Sequence, residues 1–138
     1  MNKPNIDRKI KNLIDQLNLL HSNVSGHRFW LDLRLVILLC SLFCEYLISL
    51  IYKHKKIIKE KFKDKTTELE NKDIISQDLK KELDELYKAR NAIAHNLTII
   101  GKINNINPDF LDINTAKSKG IKCLIGLLQV IDKEESKE

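Results

Sequence analysis

Glycine and proline are scarce in this chain, with 4 and 2 among 138 residues. So few turn formers favour long helices with few turns. Cysteine is equally sparse. Cys40, Cys44 and Cys123 sit inside apolar runs, lack the paired spacing of a zinc site, and are odd in number. They argue against a disulfide framework and read as reduced, buried thiols of a cytoplasmic protein. The N-terminal segment MNKPNIDRKIKNL has no apolar stretch of signal-peptide type, the sequence shows no metal-ligand cluster, and no internal repeat is present. A long uncharged run is missing too. Arg34 and Glu45 interrupt the apolar middle, and the stretch from Leu35 to Cys44 falls well short of the ~18 residues of a membrane span. A carboxylate at mid-depth would add roughly 2.5–3.5 kcal/mol to insertion. A central bundle helix accounts for these residues better, so no stable membrane insertion is expected.

What is present suits one helical domain over residues 1–138. The chain is 43% hydrophobic and 31% charged, and 24 Lys+Arg against 19 Asp+Glu leave a net charge of +5. That excess permits a polyanionic partner without demanding one. Apolar periodicity predicts helices over about 5–24, 29–64, 73–97 and 114–133. The first carries Ile6, Ile10, Leu13, Leu17 and Leu20 on one face; the last carries Ile121, Leu124, Ile125, Leu128 and Ile131, weakened locally by Gly120 and Gly126. Residues 97–103 hold a faint hairpin signal. The fold class is all-α, an antiparallel four- to five-helix bundle.

Within the third helix, Leu79, Leu83, Leu86, Arg90, Ile93 and Leu97 recur at steps of four and three. This is an apolar stripe that should face a core or a helix seam, and Arg90 interrupts it. A guanidinium keeps its charge, so its place there is costly unless an anion meets it. The second helix shows the complementary anomaly. Leu31, Leu35, Leu38, Leu42, Glu45, Ser49 and Tyr52 form a stripe of the same spacing, interrupted by Glu45. Two inward faces each carrying one charge, of opposite sign, suggest a contact between Glu45 and Arg90. The contact reads equally as a structural ion pair that holds register and as a device aiming Arg90 or His95 at a substrate.

Arg90 and His95 are five residues apart, so on a continuous helix they project roughly 140° from one another. Asn91 and His95 are four apart and share a face, which lets Asn91 orient the imidazole. Ala92 and Ala94 keep the surroundings small. Such a site is naturally completed by a second copy of the chain about a two-fold axis. By spacing alone, an Arg and a His five apart are common, and a helix-terminal His is more often a solvated or capping residue than a catalytic one.

The segment Ala89-Arg90-Asn91-Ala92-Ile93-Ala94-His95-Asn96 resembles the signature of HEPN domains, small helical bundles in which an Arg, often followed by Asn, His or Asp, precedes a His by four to six residues. A long apolar second helix containing Glu, here Cys44-Glu45-Tyr46-Leu47, and a closing terminal helix extend the resemblance over about residues 5–133. It implies a metal-independent endoribonuclease that needs no cofactor, acts as a homodimer on RNA, and belongs to toxin–antitoxin or other defence systems, with a possible antitoxin or partner protein. It implies catalytic roles for Arg90, Asn91 and His95, with Glu45 beside them. One branch of the family carries a Tyr two residues after the His, which a partner modifies with AMP; this chain has Leu97 there.

The residues can do that chemistry. RNA supplies its own 2′-OH nucleophile, so cleavage needs proton transfer, suited to His95, and charge stabilisation at the phosphate, suited to Arg90. Lys53, Lys55 and Lys56 open a basic stretch that runs to Lys65 and could guide an RNA backbone, although Glu60 and Asp64 interleave it and a solvated helix end explains it as well. Trp30, Tyr46, Tyr52 and Tyr87 fit core positions better than base-stacking ones. Two other readings stay open: a catalytically silent HEPN-like module binding a nucleotide, RNA or a protein, and a purely structural or membrane-associated helical dimer.

Overall fold

The computed structural model describes residues 2–20, 27–55, 62–95 and 107–137, with the backbone alone for 27, 28, 62, 63 and 95. These residues form five α-helices: α1 (Lys3–Leu17), α2 (His27–Lys55), α3 (Phe62–Asn71), α4 (Gln77–His95) and α5 (Ile113–Ser136), with a 3₁₀ turn at Pro108–Leu111 before α5. No strand occurs among the described residues, and the fold class is all-α. The hairpin signal at 97–103 lies outside them.

Side chains fix the helix starts. Asn2 accepts a hydrogen bond from the Asn5 amide, with Pro4 in the first turn, and Asp112 accepts from both the amide and the hydroxyl of Thr115. Ser76 does the same for the Leu79 amide at the head of α4. Two boundaries differ from the sequence expectation. α1 stops at Leu17 rather than near residue 24, through turn bonds to Asn18 and Leu19 that need neither Gly nor Pro. The charged stretch through 64 does not simply end α2. Residues 62–71 form a helix of their own, closed by Asp73 in the left-handed region (φ 56°), with the Ile74 amide returning to the Leu69 carbonyl. Aspartate tolerates that conformation better than most residues, so the break carries no glycine to announce it.

The core is built around α2, which packs most extensively on α5 and next on α4. Its buried face is Leu33, Val36, Ile37, Cys40, Cys44, Leu47, Ile48 and Ile51. α5 contributes Ala116, Gly120, Cys123, Leu124, Leu127 and Ile131 to the core, a line displaced from the expected one, because Ile125 is exposed. α1 adds Ile6, Ile10, Leu13 and Leu17, as its periodicity predicts, and α4 adds Leu83, Leu86, Ala89 and Ile93. The stripe read as the inner face of α2 is the outer one. Leu31, Leu35 and Leu42 are 59%, 43% and 49% exposed, Ser49 is exposed, and only Tyr52 is buried. A helix apolar almost all round has several stripes at four-three spacing. The small residues Cys40, Ser41 and Cys44 select the buried one, because they let α5 come close.

Polar ties lock the periphery. Thr66, fully buried on α3, donates to Asp84 of α4 (2.8 Å), and the Tyr52 hydroxyl donates to the Lys65 carbonyl (2.7 Å). Lys119 lies 3.2 Å from Glu82 and 3.6 Å from both Glu85 and Asp109, joining α5, α4 and the 3₁₀ turn. The three thiols are free and buried, and burial, helped by Cys123, pushes Cys40 up to about 12.

Gly120 marks a close approach of α5 to α2. A Cβ there would run into Sγ of Cys40 and stand 2.8 Å from its Cβ. Gly120→Ala is therefore expected to destabilise the bundle by about 1–3 kcal/mol, although alanine is the better helix former. Urea unfolding followed by circular dichroism checks the sign; an unchanged or raised midpoint would mean that α2 and α5 approach less closely than described.

Candidate functional site

Arg90 stands late in α4, between the buried Ala89 and Ile93, at the edge of the face that enters the core. Its Nη1 donates to Oε1 of Glu45 at 2.6 Å, which bonds α4 to α2. The pair is not deeply buried: the side chains are 26% and 32% exposed. It lies at the mouth of the α2–α4 seam, where the outward stripe of α2 begins to turn polar. The guanidinium also rests 5.6 Å from the ring centre of Tyr87, one turn back. One carboxylate and one ring thus restrain the arginine. A guanidinium has five donors, so this arrangement leaves capacity for an incoming anion.

Asn91 is exposed and opens onto a groove of about 430 Å³ shared with Asp84, Tyr87 and Lys88. The helical backbone continues through His95, the last residue of α4, so positions 91 and 95 are one turn apart in register. The side chain of His95 lies outside the described residues, as does all of Leu97.

The basic stretch divides. Lys53 is exposed on the last turn of α2. Lys55 is already engaged: its ammonium is 2.5 Å from Glu134 of α5, a residue only 2% exposed. Within the described residues the charge of Lys55 is thus shared with that carboxylate. Lys56 lies outside the described residues. Nothing in the sequence marked Glu134 as Lys55's partner, because it sits in a charged C-terminal run that reads as solvated. Among the described residues, no group of three or more His, Cys, Asp or Glu is placed to hold a metal ion. By length and composition α2 could cross a membrane over Phe29–Lys55, but half of its apolar window is buried against the other helices. A soluble core helix passes the same test.

No family model matches the chain, and comparison with curated proteins and with solved structures likewise returns no match.

Two outcomes follow from the two ion pairs. Because the Glu45–Arg90 pair is about a third exposed, solvent screens it, and Glu45→Gln is expected to cost only about 1 kcal/mol of folding stability. A loss of several kcal/mol in urea titration would place the pair deeper than the structure does. At Glu134, the Lys55 hydrogen bond holds the carboxyl below its ordinary 4.5 against the opposing effect of burial. A depressed folded-state value contributes stability that is present above the unfolded value and lost as pH falls through the folded one. As pH falls through the ordinary 4.5 and below it, wild type should therefore lose more stability than Glu134→Gln, narrowing the gap between them. Parallel curves over that range would count against the Lys55–Glu134 bond.

Proposed function

We propose that this chain is a metal-independent endoribonuclease of HEPN type, a toxin or defence component that works as a homodimer in the cytoplasm. The observation that carries the reading is the Glu45–Arg90 contact: an arginine at an apolar seam, held at 2.6 Å by a carboxylate from another helix and still partly open to solvent. The Arg90–His95 segment resembles the HEPN signature, and α4 remains helical through both residues.

In this mechanism the 2′-oxygen of the RNA attacks the adjacent phosphorus while His95 accepts its proton. Negative charge builds on the non-bridging oxygens, where Arg90 donates hydrogen bonds that strengthen as the transition state forms. The 5′-oxygen leaves with a proton from the second copy's His95, giving a 2′,3′-cyclic phosphate and a 5′-OH. Asn91 orients the imidazole or a phosphate oxygen. Glu45 is a positioning residue that fixes the guanidinium. The second copy has a surface to use: Leu31, Leu35 and Leu42 form an outward apolar stripe that ends beside Glu45. The spacing is that of a helix–helix seam.

One alternative is favoured by the same contact. If the 2.6 Å bond serves only to hold α2 to α4, the chain is a silent HEPN-like module that binds nucleotide, RNA or a protein partner.

Incubating the purified protein with total RNA in the presence of chelator tests the chemistry. His95→Ala is expected to lower cleavage by about 10²–10⁴-fold while the helical fold is kept. RNA with a 2′-deoxy ribose at the cut position should be inert. Cleavage of deoxy-substituted RNA, or a requirement for divalent metal, would refute the mechanism. Inactivity of wild type on every RNA would leave the silent module as the better account. Sedimentation showing only 16.1 kDa particles at micromolar concentration would remove the shared site.

A further inference from the structure

Between α1 and α2 runs a groove of about 450 Å³ lined by Lys9, Asn12, Leu13, Gln16, Leu42, Phe43 and Tyr46. Its two walls differ in chemistry. Lys9, Asn12 and Gln16 follow one another at steps of three and four, so they form a polar rail along one face of α1. Leu42, Phe43 and Tyr46 form an apolar and aromatic wall on α2, and buried Leu13 forms the floor. Phe43 and Tyr46 brace each other edge to face, 6.5 Å between ring centres.

The polar rail is exposed and holds no hydrogen-bonding side-chain partner among the described residues. Among the described residues Lys9 meets no carboxylate; its ammonium rests 5.1 Å from the Tyr46 ring centre. This sets it apart from Lys3 on the same helix, which bonds both Asp7 and Asp132. Neither Asn12 nor Gln16 uses its side-chain amide within the described structure, and no acid lines the groove among the described residues. Lys3 reaches Asp132 and Lys55 reaches Glu134, so the start of α1 and the end of α2 lie at the same end of α5 and the two helices run antiparallel. Lys9 is the first lining residue of α1, so the cation marks one end of the slot, and Gln16, seven residues on, lies about 10 Å along it.

We infer that this groove binds a small amphipathic anion: an alkyl chain seated on Leu13, Leu42 and Phe43, with one carboxylate or phosphate head at Lys9. Charge complementarity decides the class. An anionic head gains an attraction from Lys9 that a neutral ligand lacks, and a cationic one is repelled. The volume falls in the range of small-molecule sites, and a lining that is mostly apolar with a few polar groups at its edge fits that use. The site is separate from the Arg90 centre. Leu42, the last leucine of the outward stripe, stands at their boundary on α2, with Glu45 on one flank and Phe43 and Tyr46 on the other, so the groove and the stripe share this one side chain. It does not rest on the ribonuclease reading.

Three probes of equal chain length separate the contributions: decanoate, 1-decanol and decyltrimethylammonium, each below its aggregation concentration. They are titrated into the full-length ¹⁵N-labelled protein and followed by NMR. Decanoate is expected to move the side-chain amide signals of Asn12 and Gln16 and to bind more tightly than decanol, with the cationic probe weakest. Lys9→Gln, a change at an exposed position, should weaken decanoate about tenfold and leave decanol unchanged. Phe43→Ala should weaken both, with helicity checked by circular dichroism. Equal affinity for the three probes, shifts centred on Leu31 and Leu35 instead of the groove, or no binding of decanoate would each overturn the assignment. Loss of RNA cleavage in any preparation would leave these outcomes untouched.

Discussion

The close approach of α2 and α5 at Gly120 and Cys40 is the constraint on which the rest depends. With no Cβ on one side and a short thiol on the other, two helix backbones come near enough to close the core. That contact decides which face of α2 turns inward. Once Cys40 and Cys44 face α5, helical geometry sends Leu31, Leu35 and Leu42 to the opposite side and places Glu45 at the margin where α4 passes. The partly open ion pair and the exposed leucine stripe follow from the same close packing. The Lys55–Glu134 bond then holds the far end of α2 to the far end of α5.

Much of the architecture was legible in the sequence because period and composition are local properties. The α1 stripe from Ile6 to Leu17, the inward residues Leu83, Leu86 and Ile93 of α4, and the span of α5 follow from spacing alone. Contact between Glu45 and Arg90 was also legible, since two opposite charges that each interrupt an apolar stripe need one another. Depth was not. The stripe holding Glu45 turned out to be the outer face of α2, so the pair is partly solvated. Spacing cannot rank several leucine stripes on a helix that is apolar all round, whereas a glycine on the opposing helix can. α3 escaped for a related reason: its closing turn rests on Asp73, which reads as one more charged residue in a charged run.

The groove along α1 shows another limit of reading by pattern. Lys9, Asn12 and Gln16 look like the solvated face of an amphipathic helix, and on a lone helix they would be that. Only when Phe43 and Tyr46 stand opposite does the polar face become one side of a slot. Such a site is a property of two helices, and neither sequence segment carries its signature.

Restraint and availability pull Arg90 in different directions. A guanidinium buried completely with a carboxylate would be well held and unable to meet a substrate anion; one in open solvent would be available and unfixed. At the seam mouth it has one strong bond to Glu45, one ring face from Tyr87, and solvent on the remaining side. A structural tie needs only the first of these. The ring support and the remaining exposure are what a charge-stabilising arginine requires, because it must be oriented before the charge develops and must keep donors for it. That combination, more than the ion pair by itself, is the physical argument behind the site proposed at this end of α4.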